Sequence, residues 1–510
     1  MLAVVWSCMQ RKNGNSSSRR RKSILLIYPG PKTSLPRFPM SVIVLGSYLR
    51  KNGYNVRILD TRIEDYENMD LGSVLCVGIS SMSGVQLEHA VKIARYIKEE
   101  KSEIPIIWGG VHPSFFPAQA IKSRYIDVVV RGEGEETLLE LVQKIERNES
   151  IENVKGITYI QDGKVVDNPD RGFMELDKLE LPAYDLLELE KYADLTDGFS
   201  YESSRGCPHR CKFCYNLYFH KRKWRGKNSK KVLDELESIV RRYKVKKIYF
   251  VEDELFANRS RAKEIFEGIC RRDLGIEWSA FCRADFISRR TDSEIKLLKD
   301  SGCEILSIGV ESGSPEMLRK INKDITVEQV EDAVRKCVKC DIMPVMSFII
   351  GIPGETKEDM FKTLRFYDKL MKTSEKIEIN GCFVYTPYPG TPIFEIAIQK
   401  GYKPKESLEE WGQWKYSDVA NTPWLTTREK NELDIISTIA RFRYFVHRLE
   451  FYSERYKHKK IGTFLTMVLY RLSLPFFRFS ANYRWKNHFF QYAFEWKMWI
   501  YIIEHKFRIR

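Results

Sequence analysis

Short apolar segments rich in β-branched residues alternate with amphipathic helical patterns in two blocks of this chain. Strands that are apolar on both faces and separated by helices form parallel sheets with helices on either side. The first block, residues 23–145, therefore predicts a doubly wound, Rossmann-like sheet of the α/β class. Its predicted strands are Ile24–Tyr28, Val56–Asp60, Val74–Ile79, Ile104–Trp108 and Val128–Val130, and its predicted helices include Ser41–Asn52, Gln86–Glu100 and Glu135–Glu146.

The second block covers about 200 residues, from 201 to 400, and repeats the strand–helix alternation. Around 200 residues of this kind predict a full or partial (β/α) barrel. Active residues of such barrels follow the carboxyl ends of strands, so the segments after each strand are the candidates for function. The predicted strands are Lys247–Val251, Glu277–Cys282, Ile305–Val310, Met343–Ile350 and Glu378–Tyr385.

The remaining segments complete a division into five parts. Residues 151–200 form a connector, with a predicted hairpin at Gly156–Val166 around the Asp162-Gly163 turn. The predicted parts are a basic disordered leader (1–22), a first domain (23–150), the connector (151–200), the barrel (201–400) and a basic, aromatic, helical C-terminal region (401–510).

The formal charge of +15 resides at the two ends of the 510-residue chain. Residues 1–22 contain six Lys/Arg and no acid, and residues 430–510 contain 16 Lys/Arg against 6 Asp/Glu, so the interior is close to neutral. This distribution argues against a nucleic-acid channel through the core. Eleven irregularly spaced cysteines do not resemble a secreted disulfide framework and favour a reducing cytoplasm.

Three cysteines, Cys207, Cys211 and Cys214, lie within eight residues directly after a candidate strand. Thiolates are the ligands of iron–sulfur clusters, and three of them on a four-iron cluster leave one iron open to a small molecule. The alternative is a zinc knuckle with His209 or His220 as the fourth ligand.

The CxxxCxxC spacing, with the aromatic Phe213 before the last cysteine, resembles the signature of the radical S-adenosylmethionine (SAM) superfamily. The resemblance extends over residues 200–400 through the segments Phe250–Phe256, Gly309–Ser314, Gly351–Thr356 and Tyr385–Pro392. It implies a [4Fe–4S] cluster on Cys207, Cys211 and Cys214, and SAM on the open iron. The implied catalytic residues are these cysteines with Glu311, and the implied SAM contacts are Phe213, Asp253, Glu254, Glu311, Ser312, Gly351 and Gly354.

The first domain is similar to the subgroup whose N-terminal domain binds cobalamin, through Gly78–Gly84, Trp108–Pro113 and Asp127–Glu135. The nucleotide motifs GxGxxG and GxxxxGK[ST] are absent, as is the DxHxxG element that supplies a histidine to cobalt. One alternative is that the domain is an empty scaffold that binds no cofactor. For His112, in the second of these segments, the alternative is a loop-capping role. The implied cobalamin contacts are Ser80, Ser81, Ser83, Gly109, Gly110, His112, Gly132, Glu133 and Gly134.

The resemblance is to the group that contains anaerobic magnesium-protoporphyrin monomethyl ester cyclase and radical C-methyltransferases. It implies a cobalamin-dependent enzyme that cleaves SAM reductively and methylates an unactivated carbon of a hydrophobic small molecule. The alternatives are an oxygen-independent oxidative cyclase or rearrangement enzyme and, more remotely, a non-catalytic corrinoid carrier. An electron donor such as flavodoxin or ferredoxin is an expected partner, and nucleic acid is not.

Lys/Arg residues mixed with Trp, Tyr and Phe after residue 440 are typical of an interfacial membrane helix, which predicts peripheral membrane contact and a lipid-like substrate. The alternative is a helical cap over the barrel mouth. Cys337 and Cys340 are either accessory cluster ligands or helix packing residues, and Cys382 is either a hydrogen donor or a buried thiol.

Overall fold

The computed structural model describes residues 22–32, 37–193, 198–455 and 475–502. Its first sheet has seven strands in the order β2-β1-β3-β4-β5-β6-β7, of which β1 to β5 are parallel and β6 and β7 antiparallel. These strands are β1 Ser23–Tyr28, β2 Asn55–Asp60, β3 Val74–Ser80, β4 Ile106–Gly109, β5 Val128–Val130, β6 Ile157–Gln161 and β7 Lys164–Asp167.

Helices cover both faces of this sheet, which confirms the doubly wound prediction. They are α1 Met40–Lys51, α2 Val85–Glu100, α3 Val111–Phe115, α4 Pro117–Ala120 and α5 Glu135–Arg147. Successive residues of a strand face opposite sides. Accordingly, Ile24 and Leu26 pack in the core with α1 and α5, whereas Leu25 and Ile27 pack in the core with α2. The predicted hairpin forms β6 and β7, so the sheet extends to Asp167, into the segment between the two blocks.

The second sheet has six parallel strands in the order β15-β14-β13-β12-β11-β8 and forms the predicted partial barrel. Before it lies the short helix α6 Leu189–Ala193. Five of these six strands begin and end within two residues of their predicted positions. The sixth, β8, was not predicted as a strand, because most of it falls in the predicted connector. The strands are β8 Phe199–Tyr201, β11 Lys247–Phe250, β12 Glu277–Cys282, β13 Cys303–Glu311, β14 Met343–Ile350 and β15 Glu378–Val384.

Seven of the nine barrel helices named below begin at a residue whose side chain accepts a hydrogen bond from the backbone of the first turn. Thr291, Thr326 and Thr356 each form a reciprocal capping box with the third residue of the helix that follows, which satisfies backbone N–H groups at the helix start. The helices are α7 Asn216–Phe219, α8 Ser229–Tyr243, α9 Arg259–Arg271, α10 Ala284–Ser288, α11 Asp292–Asp300, α12 Pro315–Lys320, α13 Val327–Lys339, α14 Lys357–Met371 and α15 Pro392–Gln399.

A two-stranded antiparallel ribbon stands apart from both sheets. Its strands, β9 Ser204–Arg205 and β10 Arg225–Gly226, enclose residues 206–224, which contain the three cysteines. The ribbon therefore fixes both ends of the cysteine loop.

The C-terminal region packs on both domains. Helix α16 Leu408–Gly412 lies against α2, and the backbone N–H of Gly84 donates to Trp411 O at 3.0 Å. Helix α17 Thr427–Arg455 packs on the edge strand β15, so the region covers the side of the barrel. Residues 475–486 and Phe494–Ile502 are also helical, and the buried Trp485 and Trp496 of this part join the barrel core.

None of the helices in the described part of the chain has the length and apolar content required to cross a bilayer. The predicted leader, apart from residue 22, and much of the basic stretch after residue 455 lie outside the described residues.

Candidate active site

The cysteine loop starts from a backbone position that requires glycine. Gly206 has a φ of +82°, and a Cβ at this position would lie 2.2 Å from Lys223 O. Further along, the N–H of Lys212 donates to Ile321 O at 2.8 Å and its carbonyl accepts from Ile393 at 3.3 Å. The loop is thus held by the main chain on three sides before any ligand is considered.

Cys207 and Cys214 lie close enough to the neighbouring thiols that these contribute to the pKa of each. Burial, Glu254 and the other two cysteines raise the pKa of Cys207 to about 12, and burial likewise raises that of Cys214 to about 11. Thiols with such pKa values become thiolates at neutral pH only when a metal binds them. Two N–H donors already face the sulfurs, since Arg283 Nη1 lies 3.7 Å from Cys211 Sγ and Asn216 Nδ2 lies 3.7 Å from Cys214 Sγ.

A second donor group shares one of these cysteines. The ligand atoms of Cys207, His209 and Glu254 all lie within 4.8 Å of one another. Burial lowers the pKa of His209 to about 4 and raises that of Glu254 to about 7, so both are suited to a buried, neutral environment. His209 is one of the two histidines that the zinc alternative offers as a fourth ligand, but Cys211 and Cys214, which that alternative also requires, are not part of this group.

Glu311 lies at the carboxyl end of β13 in a strained conformation. Its φ of +67° is in the left-handed region, and the strand register shifts between Gly309 and Glu311. A Cβ on Gly309 would lie 2.3 Å from Glu311 Oε1, so only glycine leaves room for this carboxylate. Lys323 Nζ donates to Glu311 Oε1 at 2.7 Å, and both side chains are buried.

An apolar cluster surrounds Phe213, between Cys211 and Cys214. It contains Met317, Ile321, Ile352, Tyr385 and Ile393, with Phe213 partly exposed beside it. Lys323 Nζ lies 5.9 Å from the centre of the Phe213 ring. Lys323 therefore lies next to both Phe213 and Glu311, two of the predicted SAM contacts. It also interacts electrostatically with Cys211.

The glycine turn after β14 is fixed by hydrogen bonds. Gly351 has a φ of +77°, its N–H donates to Glu355 Oε2, and its carbonyl accepts from Trp424 Nε1 at 3.2 Å. Gly354 has a φ of +85°, and its carbonyl accepts from Lys320 Nζ at 3.1 Å. Both glycines have a left-handed backbone conformation, which glycine adopts without the steric cost that a side chain would add.

Two predicted SAM contacts have partners elsewhere in the fold. Ser312 is buried, its Oγ lies 3.0 Å from Thr363 Oγ1, and it accepts from the N–H of Ser314 at 3.1 Å. Asp253 Oδ1 accepts from Tyr215 Oη at 2.7 Å, next to the cysteine loop. The sequence supplies the residue type at these positions but not the direction of the side chain.

A cavity of about 500 Å³ lies between the two sheets, at the carboxyl ends of strands from both. Such strand ends are where ligands bind in open α/β sheets. Among its lining residues are seven of the nine predicted cobalamin contacts, namely Ser80, Ser81, Gly109, Gly110, Gly132, Glu133 and Gly134. The barrel side contributes Ser200, Glu202, Arg205, Tyr215, Phe219, His220, Val251 and Phe281.

Several polar atoms of this lining are buried without a partner among the described residues. They are Ser81 Oγ, Ser200 Oγ and Glu135 Oε2. Buried polar atoms normally have hydrogen-bond partners, so an unpaired set around one cavity is the arrangement expected where a ligand supplies them. Gly132, with a φ of +72° and no atom within 4 Å of an added Cβ, adds open backbone surface.

The other two predicted cobalamin contacts, Ser83 and His112, are not among the residues that line this cavity. His112 is completely buried, its Nδ1 lies 2.8 Å from Ser83 Oγ, and its ring packs against Phe116 and Trp411. Burial lowers the pKa of His112 to about 3, so the ring is neutral at physiological pH. These contacts match the loop-capping alternative.

Sequence reasoning missed a group of ion pairs on the wall of the cavity. Glu133 accepts two hydrogen bonds from Arg225, at 2.7 and 2.9 Å, and Glu135 accepts one from Arg205 at 2.7 Å. Burial alone would raise the pKa of Glu133, but Arg225 and Arg205 together hold it below its usual range. The available signal was Arg205 itself, a charged residue two positions before the first cysteine.

The remaining cysteines are placed away from the cavity. Cys382 is fully buried close to Tyr367 and Arg443, and burial raises the pKa of its thiol. Cys337 is buried in the barrel core, and Cys340 Sγ lies 4.0 Å from Asp292 O. Among the described residues, the group of side chains that could hold a metal ion is the one formed by Cys207, His209 and Glu254, and it includes none of Cys337, Cys340 and Cys382.

Comparisons with known proteins agree with this geometry. Residues 201–367 match the family model of the radical SAM superfamily, and residues 36–142 match that of the B12 binding domain. An uncharacterized methyltransferase of Pyrococcus horikoshii is 32% identical over 392 residues, which cover 74% of this chain and 83% of that protein. The anaerobic magnesium-protoporphyrin IX monomethyl ester cyclase of Rubrivivax gelatinosus is 29% identical over 375 residues, covering 70% and 66%.

A solved structure shares the fold. The cobalamin-dependent S-adenosylmethionine radical enzyme OxsB, with aqua-cobalamin bound, superposes with a TM-score of 0.65 at 20% identity, covering 92% of this chain and 80% of that one. The chain belongs to the family of radical SAM enzymes that carry a B12-binding domain ahead of the radical SAM domain. It is therefore an enzyme, and the cofactors of its family are the [4Fe–4S] cluster, SAM and cobalamin.

Proposed function

We propose that this enzyme transfers a methyl group to an unactivated carbon of a hydrophobic small molecule, using a corrinoid and a SAM-derived radical. The observation that carries the proposal is the cavity of about 500 Å³, whose walls come from the strand ends of both sheets. A corrinoid in this cavity would lie between the first sheet and the barrel mouth. The domains proposed for these roles are those predicted from the sequence, with residues 23–150 for the corrinoid and 201–400 for the radical chemistry.

The cysteine loop fits a [4Fe–4S] cluster. Cys207, Cys211 and Cys214 supply three thiolates from one loop, and the donors on Arg283 and Asn216 are placed to bond the sulfurs. When bound, the cluster would supply the electron that cleaves SAM. The chain's own contribution is to bury the cysteines in a fixed loop, which shields a radical from solvent.

The residues around Phe213 and Glu311 fit SAM. Phe213 is partly exposed over an apolar cluster, a surface on which an adenine ring can stack. Glu311 at the strand end is placed to accept hydrogen bonds from ribose hydroxyls, and Lys323 Nζ holds its carboxylate in place through a hydrogen bond to Oε1. Asp253, Glu254, Ser312, Gly351 and Gly354 remain the further proposed contacts.

The cavity wall on the first sheet fits a corrinoid. Backbone of Gly109, Gly110, Gly132 and Gly134 gives a flat surface for a broad macrocycle, and Ser81 Oγ lacks a partner that a corrin amide would provide. Ser80 and Glu133 also face this space. Ser83 and His112 would support the loop from below, since they bond to each other outside the cavity lining.

Product analysis under anaerobic conditions tests the proposal. The reconstituted protein is first assayed for iron and cobalt, and absence of bound cobalt would contradict the corrinoid role. Methyl transfer gives S-adenosylhomocysteine together with 5′-deoxyadenosine. If 5′-deoxyadenosine alone is formed, the enzyme is instead an oxidative cyclase or rearrangement enzyme, the activity of the type named for the Rubrivivax relative.

The C-terminal region supports a further proposal, that the enzyme meets its substrate at an anionic membrane surface in the cytoplasm. Large apolar side chains are unusually exposed here, and contiguous patches of this kind mark binding surfaces. They are Phe476, Phe479, Tyr483, Phe489, Tyr492, Phe494 and Met498. Arg484 is buried with Glu495, whereas Arg478, Lys486 and Lys497 add positive charge near the patch.

Co-sedimentation with vesicles of an anionic phospholipid tests the membrane proposal. The double variant Phe479→Ser/Phe494→Ser removes two of the most exposed rings and should reduce binding by about tenfold. The matched control Phe281→Ser removes an exposed ring of the cavity wall and should leave vesicle binding unchanged. Equal sedimentation of both variants and the wild type would contradict the proposal.

The electron that reduces the cluster would come from a flavodoxin or ferredoxin.

A further inference from the structure

We propose that Arg205 and Arg225, held by Glu133 and Glu135 of the first domain, are positioning residues that couple occupation of the corrinoid cavity to the placement of the cysteine loop. This inference rests on the proposed function, since it requires that the cavity take a corrinoid. It assigns a role to an ion-pair group that lies in the wall of the corrinoid cavity and also holds the ribbon that carries the cysteine loop.

The two arginines stand in an unfavourable arrangement by themselves. Arg205 of β9 is directly opposite Arg225 of β10 in the antiparallel ribbon. Like charges directly opposite one another destabilise such a pair. The ribbon therefore depends on acids from outside, and it encloses residues 206–224 with all three cysteines.

Two of the three acids that bind these arginines come from the first domain, and the third, Glu202, directly follows β8. Glu133 binds Arg225 through both carboxylate oxygens, at 2.7 and 2.9 Å, and Glu133 Oε1 also lies 3.5 Å from Arg205 Nη1. Glu135 Oε1 accepts from Arg205 Nη2 at 2.7 Å, and Glu202 Oε2 accepts from Arg205 Nε at 2.8 Å. The side chains of the two arginines and of Glu133 and Glu135 are at most about one-fifth exposed, so water screens these pairs little.

The segment that carries these acids also forms the cavity wall. Gly132, Glu133, Gly134 and Glu135 all line the cavity. The other end of the segment is fixed, because Arg131 forms ion pairs with Asp167 and Asp170 of the hairpin region. A ligand that contacts the backbone of Gly132 and Gly134 can therefore displace the segment 131–135. This segment is fixed at Arg131, and its glutamates bind the ribbon that carries the cysteine loop.

Coupling of this kind is reciprocal. If the corrinoid favours the position of the cysteine loop that binds SAM, SAM must tighten corrinoid binding by the same factor. A purely structural ion-pair group would hold the domains together without making one ligand's affinity depend on the other. The ratio of two dissociation constants therefore separates the two roles.

The experiment uses full-length protein with its cluster reconstituted and no reductant, so that SAM binds without being cleaved. The Kd of hydroxocobalamin is measured by equilibrium dialysis with and without saturating SAM. In the wild type SAM should lower this Kd by at least about fivefold. In Glu133→Gln the ratio of the two Kd values should fall to about one, while each ligand still binds and the iron content is unchanged.

The matched control is Asp324→Asn. It removes an exposed ion pair with Arg210 of the same cysteine loop, at 2.9 Å, without touching the first domain, and should keep the wild-type ratio. If Glu133→Gln holds less iron than the wild type, Glu135→Gln is decisive, because it leaves Arg225 paired and should still reduce the ratio. A wild-type ratio of one, or an unchanged ratio in both glutamine variants, overturns this inference even if methyl transfer is demonstrated. If the wild type does not bind cobalamin at all, the inference and the proposed function are overturned together.

Discussion

Lys323 Nζ lies 2.7 Å from Glu311 Oε1, and this buried ion pair links the residue proposed for the ribose of SAM to the cysteine loop. Two features make the pair dependent on its surroundings. Glu311 has a left-handed backbone conformation, and the absence of a side chain on Gly309 leaves the space that its carboxylate occupies beside the lysine. The strand end is therefore built around one charged pair.

Breaking this pair should destabilise the apoprotein. Lys323→Met leaves Glu311 buried without a counter-charge, which should lower the free energy of unfolding by about 3–5 kcal/mol. The double variant Lys323→Met/Glu311→Gln removes both charges and should recover most of that loss. Urea denaturation of the three proteins measures this, and additive effects of the two substitutions would contradict a specific pairing.

Cys211→Ala should abolish both the brown chromophore of the reconstituted protein and SAM cleavage, because the remaining two thiols cannot hold the cluster. Iron analysis, the visible spectrum and 5′-deoxyadenosine formation measure these losses. Cys270→Ala, at an exposed thiol on α9, is the matched control and should retain all three. Persistent cleavage in Cys211→Ala would show that the cluster assignment is wrong.

Ser81→Ala should change stability and ligand binding in opposite directions. Ser81 Oγ is buried without a partner among the described residues, so its removal should stabilise the apoprotein by about 1 kcal/mol. The same change removes a hydrogen bond that a corrinoid would receive, which should weaken hydroxocobalamin binding by about fivefold. Thermal unfolding and equilibrium dialysis measure the two effects.

The control for this prediction is Ser47→Ala. Ser47 is also buried, but its Oγ donates to Leu181 O at 2.6 Å, outside the cavity lining. Its replacement should destabilise the protein and leave hydroxocobalamin binding unchanged. If both serine variants weaken cobalamin binding equally, the orphaned hydroxyl has no special role.

Glu355 should give the protein a specific pH dependence. Burial raises the pKa of this carboxyl from its ordinary 4.5 to about 8. A group that holds its proton more tightly when folded favours folding at low pH, and this contribution is lost as the pH rises from about 4.5 through about 8. Glu355→Gln cannot titrate, so the fall in the free energy of unfolding between about pH 5 and about pH 8 should shrink by about 3 kcal/mol.

Urea denaturation of the apoprotein at the two pH values measures this difference. Glu358→Gln, which removes an exposed acid of α14, the helix that follows Glu355, should keep the wild-type pH dependence. An unchanged dependence in Glu355→Gln would show that the buried carboxyl does not titrate in this range.

The sequence predicted those features that are local in the chain. The cysteine loop, the strand ends at Glu311 and Gly351, and the helix starts depend on residues within one turn or one strand of each other. The ion pair between Arg205 and Glu135 joins positions 70 residues apart, and no periodicity or spacing indicates it. Side-chain direction was equally out of reach, since Ser312 bonds to Thr363 and His112 to Ser83 through packing decided by the whole fold.

The cavity between the two sheets has a consequence for exchange of its contents. Neither sheet encloses the space alone, and α16, which lies against α2, joins the segment after the barrel to the first domain. A macrocycle held there contacts both halves of the molecule, so its release requires that two sets of contacts break together. We therefore expect slow exchange, so that one retained molecule serves many turnovers.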